Sequence, residues 1–335
     1  MAQGMASVRW LFAAFLLSAL WPLSASAQPA SDTDIASYPS RPIRIVVPFP
    51  AGGPSDVLAR IIGQKLSEDW KQPVLVENRV GANTVIGAQA VATAPGDGYT
   101  LLMAIDSTLT MNQFLYKSLP YDPVRDFVPV TMVAKTVVLL MVNASSDIKT
   151  VADLIAKQNA EPGKFNYGAG TITTQLTGFL LNKAAGTSAQ LVRYNGSAQV
   201  TQGLLTGSVQ YVLDGPSAAL ALIQDGRFRV LAKFDGRPFP PAPNAPVVSQ
   251  AASLPNFDEV TVWLGLVAPK GTPQPIVDKL HRQIAQVLGD PGIKQKAEAA
   301  GLFPSTSTPA EFATFIGKEA ARWAPVVKET GIQYD

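Results

Sequence analysis

The side chains of this 335-residue sequence exclude most catalytic chemistry. It holds one histidine and no cysteine, which removes a thiol nucleophile, a disulfide, a thiolate metal site and a lipid anchor on an N-terminal cysteine. His281 lies beside Leu280 on an amphipathic helical stripe, the place of a boundary residue rather than a general base. Gly-x-Ser-x-Gly is absent, and no His/Asp/Glu cluster has metal-ligand spacing, so no catalytic residue, metal or cofactor is expected.

What recurs instead is an apolar run ending in a loop of small polar residues that opens a helical pattern. The first is Phe49-Pro50-Ala51-Gly52-Gly53-Pro54-Ser55-Asp56. Others stand at Asp106-Ser107-Thr108, Gly168-Ala169-Gly170-Thr171, Asn195-Gly196-Ser197 and Asp214-Gly215-Pro216-Ser217. Helix N-termini carry N–H groups without intrahelical acceptors and a partial positive charge, so such loops suit a carboxylate or phosphate without any basic side chain. Hydrogen bonds to a charged group contribute about 1.5–3 kcal/mol each. Three or four reach about −8 kcal/mol after ordering costs, which is micromolar affinity.

One such loop is equally a tight turn, because Gly52-Gly53 has neither the Lys-Ser/Thr pair of a phosphate loop nor a dinucleotide fingerprint. Repetition favours a binding site. Asp56 or Ser55 reads as a helix cap, Asp214 is divided between capping and ligand contact, and Trp263 between core and cleft.

The elements that carry these loops follow from periodicity. Ile43 to Val47 is an uninterrupted β-branched run, as in a strand covered on both faces, and Leu58, Ile61, Ile62 and Leu66 form one helical stripe behind it. Val74–Val76 and Tyr99–Ile105 add strands, with a helix between them capped by Asn83. Strand-loop-helix units then repeat through Phe165–Tyr167, Ala189–Tyr194, Val209–Leu213 and Arg229–Lys233. Val128–Val142 and Val260–Ala268 are too long for ordinary strands and read as crossings between two lobes, near Lys135-Thr136 and Leu264-Gly265. The expected fold is α/β with two lobes: residues 41–136 plus 265–335, and residues 137–264.

Arg9, the apolar run Trp10–Leu23 and Ala25-Ser26-Ala27 read as an export signal (residues 1–27) cleaved after about Ala27. The run falls short of the roughly 20 residues of a membrane span. Residues 28–40 read as a disordered leader. A formal net charge of +2 implies no nucleic-acid surface. An exported binder that diffuses freely suits the periplasm, and a monomer is expected.

Pro48 to Asp56, Glu77-Asn78-Arg79-Val80-Gly81-Ala82-Asn83, Ile86-Gly87-Ala88, Asp97-Gly98-Tyr99-Thr100-Leu101-Leu102 and Leu266-Val267-Ala268-Pro269-Lys270-Gly271 together resemble the tripartite tricarboxylate transporter receptors, the Bug (Bordetella uptake gene) family. The resemblance implies a periplasmic solute-binding protein of the type II fold, whose lobes close on a small carboxylate for delivery to integral-membrane permease subunits. It places ligand contacts at Phe49, Ala51, Gly52, Gly53, Ser55 and Asp56, at Ser107 and Thr108, at Gly170, Thr171 and Thr174, at Asn195, Gly196 and Ser197, and at Asp214. Relatives often carry His-Leu where this chain has Gln175-Leu176, and an acidic residue at the place of Phe179, so the second-lobe chemistry is particular to this protein. The expected ligand is a mono- or dicarboxylate, aromatic and amino-acid-like acids included. A periplasmic sensor partnering a membrane kinase shares these features, and an exported hydrolase using Asp56 or Asp214 is a further alternative.

Overall fold

The computed structural model describes residues 37–252, 254, 260–299 and 301–335. The expected export signal and residues 28–36 of the expected leader lie outside the described residues. Residues 37–40, the end of that expected leader, are described. Tyr38 is buried against Trp70 and Tyr99, with its hydroxyl donating to Gly98 O at 2.7 Å.

The strands in chain order are β1 (Ile43–Val47), β2 (Val74–Asn78), β3 (Thr100–Ile105), β4 (Phe127–Val137), β5 (Leu139–Asn143), β6 (Asn166–Ala169), β7 (Gln190–Arg193), β8 (Tyr211–Asp214), β9 (Phe228–Lys233), β10 (Thr261–Pro269) and β11 (Phe303–Pro304). They form two sheets, ordered β11-β4-β10-β3-β1-β2 and β7-β6-β8-β5-β9. In the first, β1 lies between β2 and β3 and is parallel to both, while β10 runs antiparallel to β3 and β4. The second repeats the plan, with β6 central to a parallel trio and β5 antiparallel to β8 and β9. In each trio the chain reverses direction across the sheet at its first strand, and ligands of open α/β sheets bind at the carboxyl ends beside such a point. This is the two-lobed periplasmic-binding-protein fold expected from the sequence, with crossing strands linking the lobes.

β1 has three consecutive buried residues, Ile45 to Val47, because helices cover both faces of the sheet. Leu58, Ala59, Ile62 and Leu66 of the helix Pro54–Trp70 lie on one side, at helical spacing. Burying each large aliphatic side chain contributes about 1.5–3 kcal/mol. Trp263 is core, packed edge-on against Phe312 and Phe315 at 5.6 and 5.3 Å.

The chain changes sheets elsewhere than the sequence suggests. β4 continues through Lys135 and Thr136, which pair with Trp263 and Val262, and the break falls at Val138. Val138 O accepts from Phe234 N, and Phe234 O accepts from Val260 N, so Phe234 bridges the two crossings where they leave the first sheet. Leu264 and Gly265 lie inside the first sheet, opposite Ile105 and Ala104 of β3. Gly265 is a packing glycine, since an added Cβ would stand 2.1 Å from Phe312 Cζ. The long apolar runs therefore mark the crossing strands, whereas their turning points depend on pairing partners far along the chain.

Two caps also differ. The helix Pro54–Trp70 begins at Gly53 with no side-chain cap bond, so neither Ser55 nor Asp56 caps it. Asn83 sits at φ 48° in a short turn, Ala82–Thr84, and the helix Val85–Ala92 follows with no side-chain cap bond. Asn83 instead donates to Tyr116 Oη at 3.2 Å and accepts at its carbonyl from Asn112 Nδ2 at 3.0 Å.

Candidate functional site

The carboxyl ends of both parallel trios face one cavity between the lobes. From the loop after β1, Phe49, Ala51, Gly53 and Ser55 line it, and from the second lobe Thr171, Asn195, Gly196, Ser197 and Asp214. The cavity encloses about 80 Å³. On that scale about 10–15 Å³ holds one water, so it suits a solute of few heavy atoms.

Each second-lobe group is placed by local sequence. Thr171 caps the helix Ile172–Ala185 in a box with Thr174, each side chain accepting from the other's backbone N–H. Gly196 caps the helix Ser197–Leu205 at φ 110°, a conformation that side chains rarely adopt. Asp214 ends β8.

Six expected ligand residues are not part of the cavity wall. Asp56 braces the loop: its carboxylate accepts from Gly52 N at 2.9 Å, Arg60 Nε at 3.0 Å and Asn78 Nδ2 at 2.9 Å. Burial raises its pKa, but these partners outweigh that and hold it below the usual value. Gly52, at φ 82°, turns its N–H to Asp56. Ser107 and Thr108 belong to the buried helix Asp106–Thr110, where Thr108 Oγ1 meets Thr84 Oγ1 at 2.8 Å. Gly170 lets two loops approach, since an added Cβ would lie 3.0 Å from the Gly196 carbonyl carbon. Thr174 is occupied by the capping box. Gln175, singled out by its departure from relatives, is buried and also absent from the wall.

The wall also contains Pro50, Pro54 and Gly215 of the expected loops, and residues that sequence reasoning missed: Ile105, Thr136, Ala198, Val262 and Leu264. Val262 and Leu264 flank Trp263 in β10, and strand alternation sends them to the cavity when Trp263 faces the core. That signal was readable once Trp263 was assigned to the core.

No residue of the wall is Lys, Arg or His. Asp214 is its one carboxyl group, buried, with Ser197 Oγ donating to Oδ1 at 3.1 Å and Oδ2 without a partner. Burial pushes its pKa up to about 7, against the hydrogen bonds from Ser197 and the Gly215 backbone. Such a site can bind and orient a small solute through backbone and hydroxyl groups, but offers no paired acid and base for turnover. Among the described residues no group of three His, Cys, Asp or Glu converges to hold a metal. Among those residues no helix is long and apolar enough to cross a membrane.

Residues 58–332 match the family model described as tripartite tricarboxylate transporter family receptor. The chain belongs to that family. It is 34% identical over 319 residues to Protein BugT of Bordetella pertussis, covering 94% of this chain and 97% of BugT. It is similar to R. palustris Rpa4515, solved with adipate, with TM-score 0.83, 33% identity and coverage of 88% and 99% of the two chains. MatC from Rhodopseudomonas palustris, solved with malate, gives TM-score 0.79 and 28% identity, over 87% and 100%. The receptor is thus a periplasmic solute-binding protein serving a membrane transporter, and its family consists of binding proteins rather than enzymes.

Proposed function

We propose that this receptor closes its lobes on a small carboxylate and delivers it to the integral-membrane subunits of a tripartite transporter. The observation that carries this is the cavity wall: helix starts from both lobes face a small space with no basic side chain. An anion held there is stabilised by backbone N–H groups and helix-end charge. The adipate and malate of the two solved relatives support the same class. Phe49, Ala51, Gly53 and Ser55 contact the carboxylate, and Thr171, Asn195, Gly196, Ser197 and Asp214 read the rest of the molecule.

The lobes pivot where Val138 and Phe234 meet, the chain acts as a monomer, and its export signal is removed after about Ala27. The family description as a transporter receptor favours transport over a sensor coupled to a kinase.

A thermal-shift screen against carboxylic acids tests the ligand class. At a hundredfold excess over Kd a true ligand stabilises by about 2.7 kcal/mol. A shift produced only by compounds without a carboxylate overturns the reading.

A further inference from the structure

The described residues include four buried aspartates, and three of them are fully engaged. Asp56 is held by Gly52, Arg60 and Asn78, and Asp235 by Arg237. Asp106 has Ser107 N on Oδ1 and Thr173 Oγ1 on Oδ2, both at 2.6 Å. Asp214 differs, because Oδ2 is shielded from solvent and has no hydrogen-bond partner, and the residue lines the ligand cavity. A buried carboxyl oxygen without a donor is costly, and one that lines a ligand cavity can be completed by the ligand.

Several hydroxyls of the wall are already engaged. Ser197 Oγ is spent on Oδ1, Thr136 Oγ1 donates to Gly301 O at 2.9 Å, and Thr171 is occupied by its capping box. The wall holds no Lys, Arg or His and none of its groups donates to Oδ2, so a donor carried by the solute would complete this oxygen.

Resting on the carboxylate reading, we infer that the solute is a carboxylate bearing an N–H or O–H donor, which it presents to Asp214 Oδ2. An amino acid and a hydroxy acid both meet this requirement. Plain monocarboxylates do not, and above about pH 7, where Asp214 is ionised, a fully ionised dicarboxylate would place a second anion beside it. The first-lobe loop thus holds the carboxylate, and Asp214 selects among carboxylates by the substituent they carry.

Titration calorimetry at pH 8 with three- to six-carbon acids tests this, each chain length supplied as plain, hydroxy, amino and dicarboxylic acid. A hydroxy or amino acid is expected to bind at least about tenfold tighter than the plain acid and the dicarboxylate of equal length. Asp214→Asn keeps an accepting oxygen and loses the charge, so it separates the two donors. A hydroxy acid then weakens by less than about threefold and an amino acid by about tenfold or more. Asp214→Leu removes the preference altogether. Equal or tighter binding of plain acids or dicarboxylates to the unaltered protein overturns the inference while leaving the carboxylate reading intact. So does a preference that survives Asp214→Leu. If no acid binds and other compounds do, both fail.

Discussion

Thr173 Oγ1 donates to Asp106 Oδ2 at 2.6 Å, and this bond joins the two lobes. Asp106 follows β3 of the first sheet, while Thr173 stands in the first turn of the helix Ile172–Ala185, which packs on the second. Both are buried, so the bond exists only while the lobes are together. Thr173→Val removes the donor at similar volume and leaves Asp106 Oδ2 unpartnered. Closure should weaken by about 1–3 kcal/mol. Ligand affinity should fall accordingly, with a larger radius of gyration by small-angle scattering in the ligand-bound protein. An unchanged radius and affinity would remove this bond from closure.

Stability should depend on pH through the same residue. Burial, opposed by Thr173 and the Ser107 backbone, pushes Asp106 up to about 7 from 3.8, and burial does the same to Asp214. A raised carboxyl pKa means that the folded state holds protons the unfolded chain has released. The contribution is therefore full below about pH 4 and is lost as pH rises through about 7, with a limit of roughly 4 kcal/mol per group. Asp56 acts oppositely, its depressed pKa giving stability that is lost on acidification. Denaturant melts from pH 4 to 8 should show stability declining with pH, and Asp106→Asn should flatten the decline.

Gly53→Val should separate binding from folding. Gly53 lines the cavity at φ −77°, which any residue adopts, and an added Cβ would have only Pro50 O nearby, at an ordinary 3.5 Å. The fold should lose less than about 1 kcal/mol. A carboxylate ligand should bind at least about tenfold more weakly, because the branched side chain blocks close approach to the backbone. Calorimetry and a melt on the same sample decide both points.

Gly265→Ala should do the reverse. A methyl group 2.1 Å from Phe312 Cζ must displace that buried ring, at a cost of about 1–3 kcal/mol. Thermal melting should fall while ligand affinity changes little. A large affinity loss without a fall in melting temperature would return Gly265 to the role of a hinge.

Asp56→Ala should loosen the first loop. It leaves Gly52 N, Arg60 and Asn78 without their shared acceptor, although Asn78 keeps its bond to Phe49 O at 2.9 Å. Amide exchange over residues 49–53 should accelerate and ligand affinity should drop, although Asp56 is not in the cavity wall. Unaltered exchange there would mean that the loop holds its shape without this carboxylate.

Much of the fold was legible because its signals are local. Thr150 caps the helix Val151–Ala160 with Asp153 in the box, and the second-lobe strands lie within a residue or two of their sequence positions, whereas the loop Asp214-Gly215-Pro216-Ser217 opens no helix until Leu220. The cap assignments failed at Asn83 and Asp56, where a partner distant in sequence claims the side chain. Asn83 is turned toward Tyr116, and Asp56 toward Asn78. Cavity residues from loops were found by their composition. Ile105, Val262 and Leu264 escaped because apolar strand residues look alike whether they face a core or a cleft.

By itself, the sequence determined the class of protein: two α/β lobes, crossing strands, loops suited to an anion without basic side chains, and family membership. These rest on periodicity, composition and residue order, which need no knowledge of distant contacts. Only the tertiary structure decided where the chain turns between sheets, at Val138, and which loop residues reach the cavity. It also separated Asp56, satisfied by its neighbours, from Asp214, whose Oδ2 is left unpartnered in the wall. The physical reason is that a hydrogen bond is a relation between two positions. Both aspartates follow a strand in sequence, and only the folded arrangement shows which one still lacks a donor.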